Sequence, residues 1–284
     1  MIKILHFTPV RKPADILAFH LQSLADLKIT NFEICFSFYD DNTDLNSCKL
    51  LKNFTKTNSN SFIFDPLELT NFINNSNERW EKQNYDRVTQ IKNHVIKYFV
   101  ESNFDFLFLT DADLVLHPQT VVQLLSNQKS FCAEIFWTKF AQSSTYLPNC
   151  WNGSHTVEDL LCFRNKGIYK VGYTGACTLL DKNILQSGVS FAKISNVPYL
   201  GEDKHFCIRA TVHNFDIFID TNYPAFHIYD KSLINHAHNF ISTGYDNNYL
   251  KEWLNDDWIH KFKKQSKPKF GFVRKLIKRI KRIL

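Results

Sequence analysis

The chain has 284 residues, a 44% hydrophobic and 22% charged composition, and a formal net charge of +6. That is enough apolar residue for one main folded domain with a small appendage, and it excludes a disordered or fibrous chain. No apolar stretch approaches the ~20 residues of a membrane-spanning helix, and Arg11 comes too early for a secretory leader. The cysteines are seven, an odd number, with no CxxC pair. They read as reduced, buried thiols of a cytoplasmic protein rather than a disulfide or zinc framework.

In chain order, Ile2 to Phe7 is a short apolar run stopped by Thr8-Pro9, which predicts a buried strand. Ala14 to Leu27 carries Ile16, Leu17, Leu21, Leu24 and Leu27 at helical spacing. Phe32 to Phe38 predicts a second strand, ended by the polar turn Asp40-Asp41-Asn42-Thr43-Asp44. Ser61 to Phe64 is a third strand, and Val88 to Val100 is a helix with Val88, Ile91, Val95 and Phe99 on one face. Phe104 to Leu109 is an apolar strand ending at Thr110-Asp111-Ala112-Asp113. This alternation predicts an α/β fold with a mostly parallel sheet flanked by helices.

Beyond it the pattern is less regular. Phe131 to Trp137 predicts a strand, and residues 138–170 have no clear period and read as a long functional loop. Ala176 to Leu180 is a strand, Lys182 to Gln186 opens a helix, Lys204 to Val212 is a helix, and Ile217 to Asp220 is a strand. Residues 1–250 form the expected main domain and 251–284 a helical extension, with Pro268 marking the start of a tail.

The chemistry lies in the carboxylates. Asp111 and Asp113 sit two apart past an apolar strand, at the end where open α/β sheets bind ligands. In extended chain such a pair shares a face. It suits a hard divalent cation, Mn²⁺ or Mg²⁺, that would neutralise a leaving diphosphate; it suits a solvated turn as well. Glu202 and Asp203 open a predicted helix. Acids there stabilise the helix dipole, and they equally fit a general base, Asp203 first and Glu202 second. His227 is a candidate third metal ligand, ahead of His236 and His238; a lone histidine is also often structural.

Taken in order, these segments resemble the family 2 type of GT-A glycosyltransferase over roughly residues 1–230. Phe7-Thr8-Pro9-Val10-Arg11 is loosely similar to the family's first turn, with Pro after Thr rather than before it. Asp40-Asp41-Asn42-Thr43-Asp44 resembles its Asp-Asp-x-Ser-x-Asp motif. The resemblance implies that Thr8 and Asp41, with Asp40 as companion, line the nucleotide pocket and that Arg87 reaches the donor. It implies that Asp111 lies nearer the sugar or ribose and that Asp113 binds the metal. Gly172-Tyr173-Thr174-Gly175-Ala176-Cys177 resembles the Gly-rich turn of the acceptor side, where Gly175, Tyr173 and Trp151 are expected. Gly201-Glu202-Asp203 matches the catalytic Glu-Asp motif, and Arg209-Ala210 continues it. The implied donor is a nucleotide-diphosphate sugar, UDP-linked by default, and the implied acceptor a saccharide or a lipid-linked saccharide. No Gln-x-x-Arg-Trp motif of processive synthases is present, which points to transfer of a single sugar.

The charge excess sits between Lys261 and Arg282. From Lys269 to Leu284, Val273, Leu276, Ile277, Ile280, Ile283 and Leu284 fall on one helical face and basic residues on the other. Such a helix lies in an anionic membrane interface, which would hold the protein to the inner face of the membrane; docking on its own domain is the other reading. The tail lacks the interleaved aromatics of a nucleic-acid surface. Two further functions remain open: a non-catalytic glycan- or sugar-nucleotide-binding relative, and a haloacid-dehalogenase-like phosphatase, whose Asp motif normally lies on the first strand. A nucleotidyltransferase would want an early Gly-rich loop, and no Gly precedes Gly153.

Overall fold

The computed structural model describes residues 1–69, 82–139, 145–197 and 201–266. The first half alternates strand and helix: β1 (Ile2–Val10), α1 (Ala14–Ala25), β2 (Phe32–Asp40), α2 (Leu45–Thr57), β3 (Ser61–Ile63), α3 (Lys82–Glu101) and β4 (Phe106–Leu109). β1 pairs in parallel with both β2 and β4, and β2 with β3. Parallel neighbours need a crossover, and the helices supply it. Helix α2 was not legible as a period. Its start is fixed by Asp44, whose carboxylate accepts the Asn46 and Ser47 N–H groups at 3.2 and 3.1 Å, the usual satisfaction of a helix's orphan donors.

The second half adds β5 (Leu114–Val115), α4 (Thr120–Ser126), β6 (Phe131–Thr138), β7 (Leu147–Pro148), β8 (Cys150–Trp151), α5 (Val157–Phe163), β9 (Ile168–Val171), β10 (Tyr173–Thr174), β11 (Thr178–Asp181), α6 (Lys182–Gln186), α7 (Glu202–Val212), β12 (Ile217–His227), α8 (Ile234–Ser242), α9 (Tyr249–Trp253) and α10 (Asp256–Ser266). The expected loop over 138–170 is thus built from short elements in its described part. The last strand is longer than expected, because it continues past a bulge between Asp220 and Ala225 to His227.

Among the described residues the main sheet runs β3-β2-β1-β4-β11-β6-β12-β5. β11 lies antiparallel between β4 and β6, and β12 runs parallel to β6. Two cores cover its faces. Ile4, Val10, Leu17, Leu21, Leu24, Phe36 and Phe38 form one under α1 and α2. Leu5, Phe7, Ile91, Val95 and Phe99 belong to the other, under α3. Each fully buried Leu or Phe contributes about 1.5–3 kcal/mol. Residues past the expected boundary at 250 pack here too: Trp253, Leu254 and Trp258 are buried in the α3-side core. The basic amphipathic stretch 269–284 lies outside the described residues.

Strand order reverses at β1: β2 and β3 lie to one side and β4 to the other. The carboxyl ends of β1 and β4 therefore open a crevice, the place where such sheets bind ligands. Lys12 follows one end and Asp111 to Asp113 follow the other.

Candidate active site

The aspartates after β4 do not lie in extended chain. The Leu114 N–H donates to the Asp111 carbonyl at 3.2 Å, closing a turn, so the two side chains meet different partners rather than sharing a face. Asp113 is 5% exposed. Its Oδ2 lies 2.5 Å from Lys12 Nζ and 3.3 Å from His227 Nε2. Burial alone would push this carboxyl up, yet Lys12 and His227 hold it well below the usual carboxylate range.

The backbone delivers His227 to that place. His227 pairs with Leu114 across β12 and β5, and the Ile228 N–H donates to the Asp113 carbonyl at 2.9 Å. His227 Nδ1 is 2.7 Å from Thr138 Oγ1. When Nδ1 carries the proton and donates to Thr138, the Nε2 lone pair faces Asp113 and can ligate a cation. Among the described residues no group of three or more His, Cys, Asp or Glu side chains is placed to hold a metal; of the expected trio, Asp113 and His227 lie together, 3.3 Å apart. That pair fits Mg²⁺ or Mn²⁺ drawing its remaining ligands from phosphate oxygens and water. Asp111 instead sits between Asp113, Glu202 and Lys92; burial, then the two like charges, raise its pKa against the pull of Lys92.

A second acidic centre opens α7. Buried Lys92 of α3 donates to Glu202 Oε1 at 2.7 Å and to Asp203 Oδ1 at 2.9 Å. Burial opposes the ammonium, but Asp203 and Glu202 more than offset it and raise its pKa. The Asp203 side chain is 33% exposed. Its pKa is pushed to about 7 by burial and by Glu202, against Lys92. A carboxylate poised near neutrality is suited to general-base work. Gly201, at φ +103, allows the turn into α7 that only glycine adopts easily. Behind Asp203 is a pocket of about 20 Å³ lined by Lys92, Thr174, Gly175, Thr178, Phe191 and Phe206, room for about one water.

Across from Asp203, Gly175 lies in the turn after β10. Tyr173 pairs with Trp151 between β10 and β8, the two rings stacked at 5.8 Å, and Lys204 Nζ lies 5.4 Å from the Trp151 ring. Of the three residues expected on the acceptor side, Gly175 abuts Asp203, and the Tyr173–Trp151 stack adjoins this centre through Lys204.

At the end of β2, Arg87 clasps both oxygens of Asp41, its Nε at 3.1 and 3.0 Å and its terminal nitrogen in contact with Oδ1. Asp40 takes another role: its Oδ1 accepts from the Asn42 N–H at 3.2 Å and from Asn42 Nδ2 at 2.8 Å, shaping the turn. Thr8 does not line the pocket. Strand alternation puts it with His6 on the α1 side of β1, fully buried.

There it joins a network the sequence did not reveal. His20 Nδ1 donates to the Leu114 carbonyl at 2.7 Å, so His20 Nε2 accepts from the Thr8 hydroxyl at 3.1 Å. Thr8 Oγ1 in turn accepts from Thr110 at 2.6 Å, and Thr110 accepts from His6 Nε2 at 2.8 Å. Burial drops His20 to about 4 and lowers His6 well below its ordinary value, so both are neutral at pH 7. The network braces the Asp111–Leu114 turn from beneath. The only sequence signal was polar residues on otherwise apolar faces: His6 and Thr8 in β1, His20 in α1.

The sequence matches no protein-family model and no curated protein. Solved structures do match in fold. S. aureus TarS 1–349 in complex with UDP-GlcNAc aligns with a TM-score of 0.49 at 12% identity, over 79% of this chain and 58% of that one. The chain therefore spans less than two thirds of that relative's length. A second structure of S. aureus TarS 1–349 aligns with a TM-score of 0.50 at 10% identity, over 90% of this chain and 74% of that one. The mannosyltransferase PcManGT from Pyrobaculum calidifontis, in complex with GDP-Man and Mn²⁺, aligns with a TM-score of 0.51 at 8% identity, over 91% and 68%. The chain has the GT-A glycosyltransferase fold.

Proposed function

We propose that the chain is a glycosyltransferase that moves one sugar from a nucleotide-diphosphate sugar, UDP-linked by default, to a hydroxyl of a saccharide or lipid-linked acceptor, with inversion and with Mn²⁺ or Mg²⁺. The observation that carries this reading is Asp203, a partly exposed carboxylate held near neutrality beside Lys92 and Glu202, in a chain whose Asp113 and His227 offer two metal ligands. The complex of a similarly folded mannosyltransferase with GDP-Man and Mn²⁺ supports the nucleotide-sugar donor and the divalent cation of this reading.

Each residue takes a role. Asp41, fixed by Arg87, lies at the β2 end, where the nucleotide is expected. Asp113 and His227 would hold the cation, which when bound neutralises charge on the leaving diphosphate. Asp203 accepts the proton of the acceptor hydroxyl. Glu202 keeps the Asp203 carboxyl basic, and Lys92 keeps it ionised and oriented. Trp151, Tyr173 and Gly175 bound the acceptor side. The basic stretch 269–284 would seat the enzyme on the cytoplasmic face of a membrane, near a membrane-displayed acceptor.

Replacing Asp203 by Asn tests the base. Turnover should fall by about 10²–10⁴, the usual worth of a positioned base, while nucleotide-sugar binding stays. Near-normal turnover would remove Asp203 from the mechanism. A non-catalytic binding relative would show no turnover to lose in either protein.

A further inference from the structure

Lys12 reaches the cation seat from an element the donor also approaches. Its main chain is clamped: its N–H donates to Asn42 Oδ1 at 3.1 Å, and its carbonyl accepts from Ser47 Oγ at 2.8 Å. Its side chain is held only at the tip. It is 36% exposed and extends over the crevice to Asp113 Oδ2 at 2.5 Å. Asp113 is 5% exposed, so its charge has few partners to choose from. His227 Nε2 aims at the same oxygen from 3.3 Å. A Mg²⁺ ligated by that oxygen would lie about 2.0–2.1 Å from it, in the space the ammonium fills. Ammonium and divalent cation exclude one another there by volume and by charge.

Resting on the reading of Asp113 and His227 as cation ligands, we propose that Lys12 is a resident counter-ion of the cation seat, neutralising Asp113 in the donor-free protein and swinging onto the donor's diphosphate when a divalent cation takes its place. A lysine suits this task because it is a compact charge on a flexible four-carbon stem. The stem can swing while the clamped backbone stays still. The displaced ammonium keeps Asp111 nearby, and the diphosphate that arrives with the cation offers it a second anion. Cation and donor binding are thereby coupled. Without a nucleotide, the cation must evict Lys12 at a cost. With a nucleotide, Lys12 gains a replacement partner.

Mn²⁺ titration followed by the electron-paramagnetic-resonance signal of free Mn²⁺ tests this without any sugar transfer. Lys12→Met removes the charge and keeps the stem. It should bind Mn²⁺ alone about tenfold tighter than wild type, a modest coupling between two charges at this separation. Lys12→Arg keeps the charge and should stay near the wild-type value, and Asp113→Asn should bind little Mn²⁺. Adding UDP or GDP should tighten Mn²⁺ binding in the wild type more than in Lys12→Met. Equal or weaker Mn²⁺ binding by Lys12→Met overturns the inference, as does absence of Mn²⁺ binding in both proteins. The two readings separate cleanly. Tighter Mn²⁺ binding by Lys12→Met without turnover of any nucleotide sugar supports the counter-ion and refutes the transferase, and turnover without the shift does the reverse.

Discussion

A Cβ placed on Gly175 would lie 3.1 Å from Asp203 Oδ2. Asp203 cannot move away freely, because Lys92 holds its other oxygen at 2.9 Å. Gly175→Ala should therefore push the carboxylate off its position while leaving the donor side untouched. Displacements of this size at a reacting group lower turnover, here by about tenfold. Steady-state kinetics should show the loss in kcat, with donor affinity unchanged. An unchanged kcat would mean that Asp203 tolerates the shift.

The pH profile should follow Asp203. A general base works only when ionised, so kcat/KM should rise tenfold per pH unit below about 7 and level off above it. Lys92 lowers the Asp203 pKa, so Lys92→Met should carry the limb to higher pH. It should also destabilise the fold by about 3 kcal/mol, since buried Glu202 and partly exposed Asp203 lose their shared partner. A limb that stays in place in Lys92→Met would separate the profile from Asp203.

Glu134 provides a stability test away from the site. Its carboxyl is fully buried and sits opposite Asp220 in the β6–β12 register. Burial, then Asp220, raise its pKa well above the ordinary value. In the unfolded chain it ionises near about 4.3. Above that pH the native state binds the extra proton, so its contribution to stability is present at low pH and is lost as pH rises, by about 1.4 kcal/mol per unit until the native group ionises. Glu134→Gln keeps the neutral shape and removes the titration. Denaturant midpoints at pH 5 and pH 8 should show a steeper fall for wild type than for the variant. Parallel falls would show that Glu134 does not hold a proton in the native state.

Removal of residues 267–284 should abolish flotation with vesicles containing anionic lipid and leave transfer to a soluble acceptor intact. The six basic residues Arg274, Lys275, Lys278, Arg279, Lys281 and Arg282 are worth about 1 kcal/mol each near such a surface. Equal flotation by the full and shortened chains would remove the membrane role.

Much of the frame was legible because apolar runs mark buried strands: β2 and β4 ended within two residues of the run, whereas β1 continued through Thr8-Pro9 to Val10. Asp111 and Asp113 were legible as an acidic pair just past an apolar strand, and Glu202 and Asp203 as an acidic pair at a helix start. Parity explains the error at Thr8. Ile4, His6, Thr8 and Val10 alternate with Leu5 and Phe7, and only the burial of α1 on that side decides which set meets the crevice. The sequence signal for Lys92 is a lysine beside Ile91, Val95 and Ile96 on a buried stripe. Lys12 left none, because its role depends on β1 and β4 lying side by side, a contact between residues a hundred positions apart. His227 ends the last strand rather than following it, because the bulge between Asp220 and Ala225 interrupts the apolar run that marks the strand.

The most direct test of the central claim is release of free nucleotide from a panel of nucleotide sugars, with and without Mn²⁺, by the purified full chain. Slow, Mn²⁺-dependent release from one donor is expected, with its acceleration by a supplied acceptor lost in Asp203→Asn. Silence across the panel, with no metal-dependent binding of any nucleotide, would contradict it.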